Sequence, residues 1–563
     1  MDVIISKLRG LTPEAALAWM AAALAPLFGV LALVLGQDAN WDLRNYHFYN
    51  PYAFLNGRLG FDIAPAQPAT FYNPLMHVPF YLLAEALPPR AVGFVLGTVQ
   101  GLNLVPLSLI AHRVLALHPG RASQGAALSL SVFALSGAGF LSELGTSFFD
   151  NILSLLILGA LAMLLNPGGG PLAPLWRSFF AGVAGGLAVG FKPTMAIYAL
   201  GLGAATLAQS VRWLVRFVAF SAYGLGGLLG LALGGGYWMG VLMRLYGNPI
   251  FPHLNHVFRS PMAPLTAQRD TTFVPETWGR AFTLPFRWAV DGKVVGEIAF
   301  RDWRLSMVYA AVIAAALIFI FSWWRRDLRA PALTRREPAR MILLMAAVVY
   351  AAWISVFGIY RYLIGLELLA PLLLVAVVDR MPFTRYWRLV TIVIAFAAIV
   401  VTLRPGDWGR VAWAAEGDYV AVRVPAIERP ESSLVLMSGF QPFSYVIPRF
   451  PPAMRFLRVQ SYFSWPTEQA NGHNQLMRGI IANHQGPLLA LFNDYEQGLA
   501  VEVLGLFDLG LAPAPCSRVP TRFEQSLVLC PVRRLSLASA PIALAGAWGY
   551  QLRASDSALT APP

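Results

Sequence analysis

The sequence predicts a polytopic α-helical membrane protein of about 11 transmembrane helices, with long periplasmic loops and a small C-terminal α/β periplasmic domain. Three observations carry that expectation. Of 563 residues, 57% are hydrophobic and only 13% charged, whereas soluble domains carry about a quarter charged residues; a water-soluble enzyme is excluded. Mean hydropathy is +0.57, and the apolar residues gather into runs that cross a hydrocarbon core of about 30 Å as helices of about 20 residues. Basic residues, finally, concentrate in alternate connections. The net charge of +13 would point to nucleic acid in a soluble chain, but in a bilayer protein it reports charges that anchor loops, so the partner expected is the lipid bilayer and not nucleic acid.

The first apolar run, near 15–36, follows a short basic stretch at Lys7 and Arg9 and shows no small-residue cleavage site after Gly36, which reads as an uncleaved anchor. Further spans are expected near 91–111, 124–141, 149–165, 178–191, 194–208, 217–243, 304–323, 341–358, 361–378 and 389–403. The pair flanking Lys192 is ambiguous, because Pro193 marks either a kink in one long helix or a boundary between two. If the spans alternate, Lys7 and Arg9, Arg113 and Arg121, Arg212 and Arg216, the group Arg325, Arg326, Arg329, Arg335, Arg336 and Arg340, and Arg380, Arg385 and Arg388 share one side. The positive-inside rule makes that side cytoplasmic. An odd number of spans then places the C-terminal 160 or so residues outside, where Cys516 and Cys530 are expected to pair.

Residues 1–403 are thus expected to form a transmembrane module, with external loops 37–90 and 244–303 long enough to carry function. Residues 404–563 form the outer domain. It alternates strand-like runs, Ser433–Met437, Leu488–Phe492 and Ser526–Leu529, with a helix-like stretch, Gln497–Phe507. Ala554–Pro563 reads as disordered. No internal repeat is visible, which counts against a transporter built from inverted halves.

The densest polar cluster follows the first span, from Gly36 to Asp62. Asp38 and Asp42 are four residues apart and share a helix face, with Tyr46 and Tyr49 along it; Asn50 and Pro51 end that helix or begin another, closed by Gly57. A carboxylate held at a membrane surface beside aromatics is partly desolvated and suited to taking a proton from an acceptor hydroxyl. The same aromatics, Trp41, Tyr46, Phe48, Tyr49 and Tyr52, equally fit a plain interfacial helix anchored at the headgroups.

Asp42, Tyr46, Ala53, Leu55 and Gly57, followed by Tyr72, Pro74 and Leu75, resemble the first external loop of the C-type (GT-C) superfamily of integral membrane glycosyltransferases. Asp150, heading the fourth span in Ser-Phe-Phe-Asp-Asn-Ile-Leu, extends the resemblance to a second acidic position. The resemblance implies a glycosyltransferase of a bacterial inner membrane, with its N-terminus cytoplasmic. It would take a sugar from a polyprenyl-phosphate-type donor and pass it to a glycan, lipid or protein acceptor at the periplasmic face. It also implies that a first-loop carboxylate is catalytic, Asp42 by position and Asp38 as the alternative.

Sugar transfer passes through an oxocarbenium-like transition state, and with a phosphate leaving group it needs a base for the acceptor and cations for the departing phosphate. A single base facing the donor predicts inversion at the anomeric carbon. Lys192 is one of three lysines and lies between apolar halves, where a charge needs a partner or a purpose. Arg361 and Arg58 are the other candidate phosphate ligands, with snorkelling as their structural alternative. Glu143 and Asp150 are candidate oxygen ligands for Mg²⁺ or Mn²⁺, with helix capping the plainer role for Glu143. Tyr46, His47, Tyr72 and Asn73 are the candidate substrate contacts; His77, His253 and His256 carry no assignment. Glu367, inside a span six residues after Arg361, fits a structural partner as well as a site residue. Tyr246, Gly247, Asn248, Pro249 and Phe251 open the second long loop, expected to cover the site and choose the acceptor. Two other classes compete: a transporter or flippase of lipid-linked saccharides, and a noncatalytic membrane scaffold.

Overall fold

The computed structural model describes residues 12–118, 120–321, 331–414 and 417–535. The basic residues Lys7, Arg9, Arg325, Arg326 and Arg329 and the tail Ala554–Pro563 lie outside the described residues. Over its described residues each apolar stretch expected as a span is helical, 124–141 with a break. The first, α1 (Pro13–Leu35), starts at Thr12, whose hydroxyl accepts from the Ala15 amide at 3.3 Å, with Pro13 and Glu14 in the first turn. It stops at Gly36, whose φ of 102° is a conformation an L side chain avoids. A short α2 (Tyr49–Leu55) and α3 (Val78–Ala86) shape the first loop. Then come α4 (Pro89–Gly101), α5 (Leu104–Val114), α6 (Arg121–Ala134), α7 (Ala138–Ser142), α8 (Asp150–Leu164), α9 (Ala173–Phe191) and α10 (Ala196–Leu207). The series continues with α11 (Trp213–Leu231), α12 (Tyr237–Tyr246), α13 (Trp278–Val290), α14 (Arg304–Phe321), α15 (Arg336–Val356), α16 (Ile364–Val378) and α17 (Arg385–Thr402).

Among the described residues six helices are long and apolar enough to cross a membrane: Pro13–Leu35, Pro89–Val114, Trp213–Tyr246, Arg336–Val356, Tyr360–Val378 and Arg385–Thr402. This is a polytopic membrane protein. Every residue of α16 is buried, so it is the axis around which other helices pack, while α1, α11 and α17 turn apolar side chains outward, Val401 by 85%. The expected span 124–141 is broken, not continuous. Three residues, Leu135–Gly137, separate α6 from α7, and the freed α7 amides are met by carboxylates: Asp302 accepts from Ala138 at 2.8 Å, and Glu367 from Gly139 and Phe140 at 3.0 Å each. Acidic groups at a helix N-terminus satisfy orphan donors and oppose the positive end of the dipole. Glu367 is therefore structural, beside the buried Arg304–Asp302 pair at 2.8 Å.

The ambiguity at Lys192 resolves into a hairpin. Phe191 ends α9, Lys192 is extended (φ −142°, ψ 105°), and Pro193 opens the 3₁₀ turn that leads into α10. The two helices run back along one another, since Gln209 donates to Ser178 at 3.4 Å and Gly185 faces Ala199 and Leu202. α9 also packs along α11 through glycines: a Cβ on Gly186 would run into the Gly227 carbonyl oxygen, and one on Gly226 into that of Phe179. Small residues are what let helix backbones approach this closely.

The C-terminal unit is a mixed six-stranded sheet of β3 (Leu434–Met437), β4 (Arg455–Arg458), β5 (Leu488–Asn493), β6 (Leu509–Leu511), β7 (Ser517–Arg518) and β8 (Leu527–Arg534), in spatial order β4-β3-β5-β8-β6 with β7 beside β8. Helices α18 (Gly472–Asn483) and α19 (Gln497–Gly505) accompany it. The three expected strands appear as β3, β5 and β8 and the expected helix as α19; β4, β6 and β7 are too short to show period-2 alternation. Cys516 and Cys530 form a disulfide. Two threads sew this unit to the transmembrane part. β1 (Gln37–Asp38), leaving α1, pairs antiparallel with β2 (Arg410–Val411). Ile63 of the first loop lies beside β4, its amide donating to Phe456 at 2.9 Å and its carbonyl accepting from Arg458 at 3.0 Å.

Candidate functional site

The end of α1, the heads of α8 and α16 and the tip of the α9–α10 hairpin meet at one end of the bundle, and most candidate residues lie there. Asp42 follows β1 at the start of a short π-helical turn, Leu43–His47. Its Oδ2 accepts from Arg361 Nη1 at 2.9 Å, and the Tyr46 hydroxyl lies 3.5 Å from the same oxygen. The two side chains retain 19% and 11% exposure, so the pair is within reach of a ligand. The Arg361 guanidinium stands in an aromatic cage, 4.5 Å from the Phe148 ring centre and 5.4 Å from those of Tyr362 and Trp408. Lys192 binds both carboxylate oxygens of Asp150 at 2.7 Å, and its ammonium sits 5.3 Å from the Tyr362 ring centre. Two cations, one at the hairpin tip and one at the head of α16, thus flank one tyrosine, each held by one carboxylate and partly by a ring face.

Asp38 is committed elsewhere. Its Oδ2 accepts from the Ser147 amide and hydroxyl at 2.7 Å each, its Oδ1 from the Asn40 amide at 3.0 Å and side chain at 2.7 Å. Burial pushes its pKa up, against the pull of the Ser147 and Asn40 bonds and of Arg410. With each oxygen taken by two donors, Asp38 is a brace between the first loop and Ser147, whereas Asp42 Oδ1 accepts no hydrogen bond from the described residues. Ser147 also meets His47 Nδ1 at 2.8 Å. Because the serine proton points to Asp38, Nδ1 of His47 is the protonated ring nitrogen. His47 stacks on His77 at 4.1 Å, with Tyr46 edge-on to both. Burial, aided by Lys192 and Arg361, holds His47 well below its usual range, and burial with His47 and Lys192 does the same for His77, so both are neutral at pH 7.

Arg58 is not beside the two cations. Its guanidinium is buried against Asp62 at 2.6 and 2.8 Å and donates to the Pro452 and Met454 carbonyls at 2.7 and 2.6 Å. Spacing could not distinguish a phosphate ligand from a clamp between the first loop and a segment some 390 residues away. Arg58→Ala is expected to lower the thermal midpoint, corresponding to about 3 kcal/mol for a buried pair broken on one side, with donor affinity unchanged in whatever folds. A scanning melt beside a donor-binding titration checks this.

The candidate oxygen ligands for a divalent cation, Asp150 and Glu143, differ in their surroundings. Among the described residues no group of three or more His, Cys, Asp or Glu is placed to hold a metal ion, and Asp150 holds an ammonium where a ligand set would hold the metal. Glu143 is 1% exposed and neither carboxylate oxygen has a partner. Burial, and next Asp150, raise its pKa well above the usual range, against the pull of Arg361 and Lys192, and its side chain caps no helix.

Among the expected substrate contacts, Tyr72 is edge-on to Tyr46 at 5.3 Å and stacks on His253 at 5.6 Å, which carries the second long loop over the site. Asn73 serves as a tether: its amide donates to the carbonyls of Gly190 and Gly234 at 2.9 and 2.8 Å, fixing the first loop to the hairpin tip. Tyr246 and Phe251 stack at 4.5 Å against Phe71 in an apolar cluster, and Asn248 binds the His253 carbonyl at 2.9 Å. Those residues shape the loop from behind. Sequence reasoning missed Phe148, Tyr362 and Trp408. Tyr362 is signalled by its adjacency to Arg361, while nothing local to Trp408 marks it.

The chain is similar to two solved structures of ArnT from Cupriavidus metallidurans. One is bound to undecaprenyl phosphate and is 13% identical, with a TM-score of 0.46 over 91% of this chain and 97% of that one. The other is in the apo state, 13% identical, with a TM-score of 0.40 over 92% and 98%. No protein-family profile and no curated protein matches the chain.

Proposed function

We propose that the protein is an integral membrane glycosyltransferase of a bacterial inner membrane. In this reading it crosses the membrane eleven times, with its N-terminus cytoplasmic and its C-terminal domain periplasmic, and moves a sugar from a polyprenyl-phosphate-type donor to an acceptor at the periplasmic face. One observation carries it: Asp42, Arg361 and Lys192, drawn from three distant parts of the chain, converge around Tyr362 and remain partly accessible. A transporter needs no such gathering of two carboxylate–cation pairs around one tyrosine at one membrane end. The disulfide, expected in an oxidising compartment, supports the placing of the C-terminal domain.

Asp42 Oδ1 accepts no hydrogen bond from the described residues. It is the oxygen free to take the proton of the acceptor hydroxyl as that oxygen bonds the anomeric carbon. The bond from that carbon to phosphate oxygen breaks on the opposite face, and Lys192 and Arg361 stabilise the developing phosphate charge in a site that water enters poorly. One base and one departure give inversion. Tyr46 and Tyr72 offer ring faces to the sugar, and neutral His47 adds no third positive charge.

The test is transfer from a synthetic polyprenyl-phosphate sugar in proteoliposomes, scored beside its flux across the bilayer. Product formation with an inverted anomeric centre by NMR is expected. Flux of the intact donor without transfer would move the assignment to a flippase.

A further inference from the structure

At the opposite end of the bundle, the α10–α11 connection, the start of α15 and the end of α16 enclose a hollow of about 640 Å³ lined by Ser210, Arg336, Glu337, Arg340, Leu343, Leu344 and Arg380. Among the described residues its three guanidiniums have no carboxylate partner. Arg340 donates to the Ala208 carbonyl at 2.5 Å and the Ser210 hydroxyl at 2.9 Å, and Arg380 to the Ala376 carbonyl of its own helix at 2.6 Å. Arg336 makes no hydrogen bond or ion pair, and the one acid present, Glu337, is occupied by the Ser210 amide at 2.6 Å. Two cations nearby at this end are matched, Arg113 by Glu14 at 2.6 Å and Arg388 by Asp379 at 3.0 Å, whereas Arg177 and Arg216 donate to backbone carbonyls. Three arginines against one engaged carboxylate leave an uncompensated positive hollow.

Its depth in the membrane follows from the helices. Arg336 is the first residue of α15, Arg340 lies one turn on, and Arg380 stands just beyond the last turn of α16, which is the level of the lipid headgroups for helices that cross there. Leu343 and Leu344 continue the lining one turn deeper, and Leu344 is 40% exposed on the helix flank. The site therefore offers guanidiniums in one layer and apolar surface in the next. A soluble anion would use the first layer only.

We propose that this hollow binds the phosphate headgroup of an anionic phospholipid of the adjoining leaflet, with the guanidiniums on the phosphodiester and an acyl chain along Leu343 and Leu344. Basic pockets between membrane helices recognise phosphate headgroups in this way, and arginine suits a phosphate because its planar fork donates two parallel hydrogen bonds. The site lies at the other end of α16 from Arg361, and it stands whether or not the reading of the reaction does.

Native mass spectrometry of the full-length protein, released from detergent with phosphatidylglycerol or phosphatidylcholine and separately with inorganic phosphate alone, tests it. Wild type should retain phosphatidylglycerol over phosphatidylcholine, with retention falling as salt rises. Arg336 and Arg380 are both exposed, so Arg336→Gln/Arg380→Gln should fold and lower affinity about twenty-five-fold, at roughly fivefold per arginine. If the double variant loses its native melt, Arg336→Gln alone should show the fivefold step. Equal retention of the two lipids, wild-type retention by the variants, or displacement of the lipid by equimolar inorganic phosphate would each overturn the proposal, the last assigning the hollow to a soluble phosphate ester.

Discussion

Asp42→Asn should lower sugar transfer by about 10²- to 10⁴-fold, the range for losing a positioned general base, with donor binding nearly unchanged. Asparagine has the size of aspartate and keeps an oxygen for Arg361 Nη1, now 2.9 Å away, so the guanidinium stays in its cage of Phe148, Tyr362 and Trp408. What disappears is the oxygen able to accept a proton. Turnover should therefore collapse while KM for the donor holds, and the circular dichroism and melting curve should match wild type. The contrasting variant is Asp38→Asn. Each Asp38 oxygen receives two donors, so an amide there sets N–H against N–H and costs about 1–3 kcal/mol of stability without removing the proton acceptor. Near-wild-type turnover in Asp42→Asn would sink the assigned base.

A comparable loss is expected at Lys192, where stability and chemistry must be separated. Lys192→Met strips a cation from the departing phosphate, about 10²- to 10³-fold in rate by analogy with lost oxyanion donors. It also strands Asp150, whose side chain is 1% exposed, and an uncompensated buried charge costs about 3–5 kcal/mol. A melt of the single variant would therefore mix two effects. Lys192→Met/Asp150→Asn removes both charges and should recover most of the lost stability, because a buried ion pair contributes little against neutral replacements of similar volume. Transfer should stay low in the double variant. Recovery of both stability and transfer would mean that Lys192 only neutralises Asp150 and never meets the donor.

The bundle was legible because a bilayer permits so few solutions. A chain without water must satisfy its own backbone, so apolar runs become helices. Asp42, Lys192 and Arg361 stood out for a related reason: charge near the membrane is costly and therefore rare. The break at Leu135–Gly137 was hidden, because an apolar run reads the same whether or not it bends; only Asp302 and Glu367, more than 150 residues on, make a fresh helix start there affordable. Arg58 misled for the converse reason, since a basic residue in the right loop gives no sign of which distant carbonyls it will reach.

Local chemistry along the chain determined which stretches become apolar helices, which connections carry the basic residues, where the scarce acids and lysines fall and that a strand-bearing unit follows the last apolar helix. Tertiary structure alone decided that Lys192 belongs to Asp150 and Arg361 to Asp42, that both cations share Tyr362, that Asp38 is a brace, and that Arg336, Arg340 and Arg380 face one hollow without acids to match. The division has a physical basis. Hydrophobicity and charge are properties of a residue and its near neighbours, whereas an ion pair needs a separation of about 3 Å between side chains that, for Asp42 and Arg361, lie 319 positions apart.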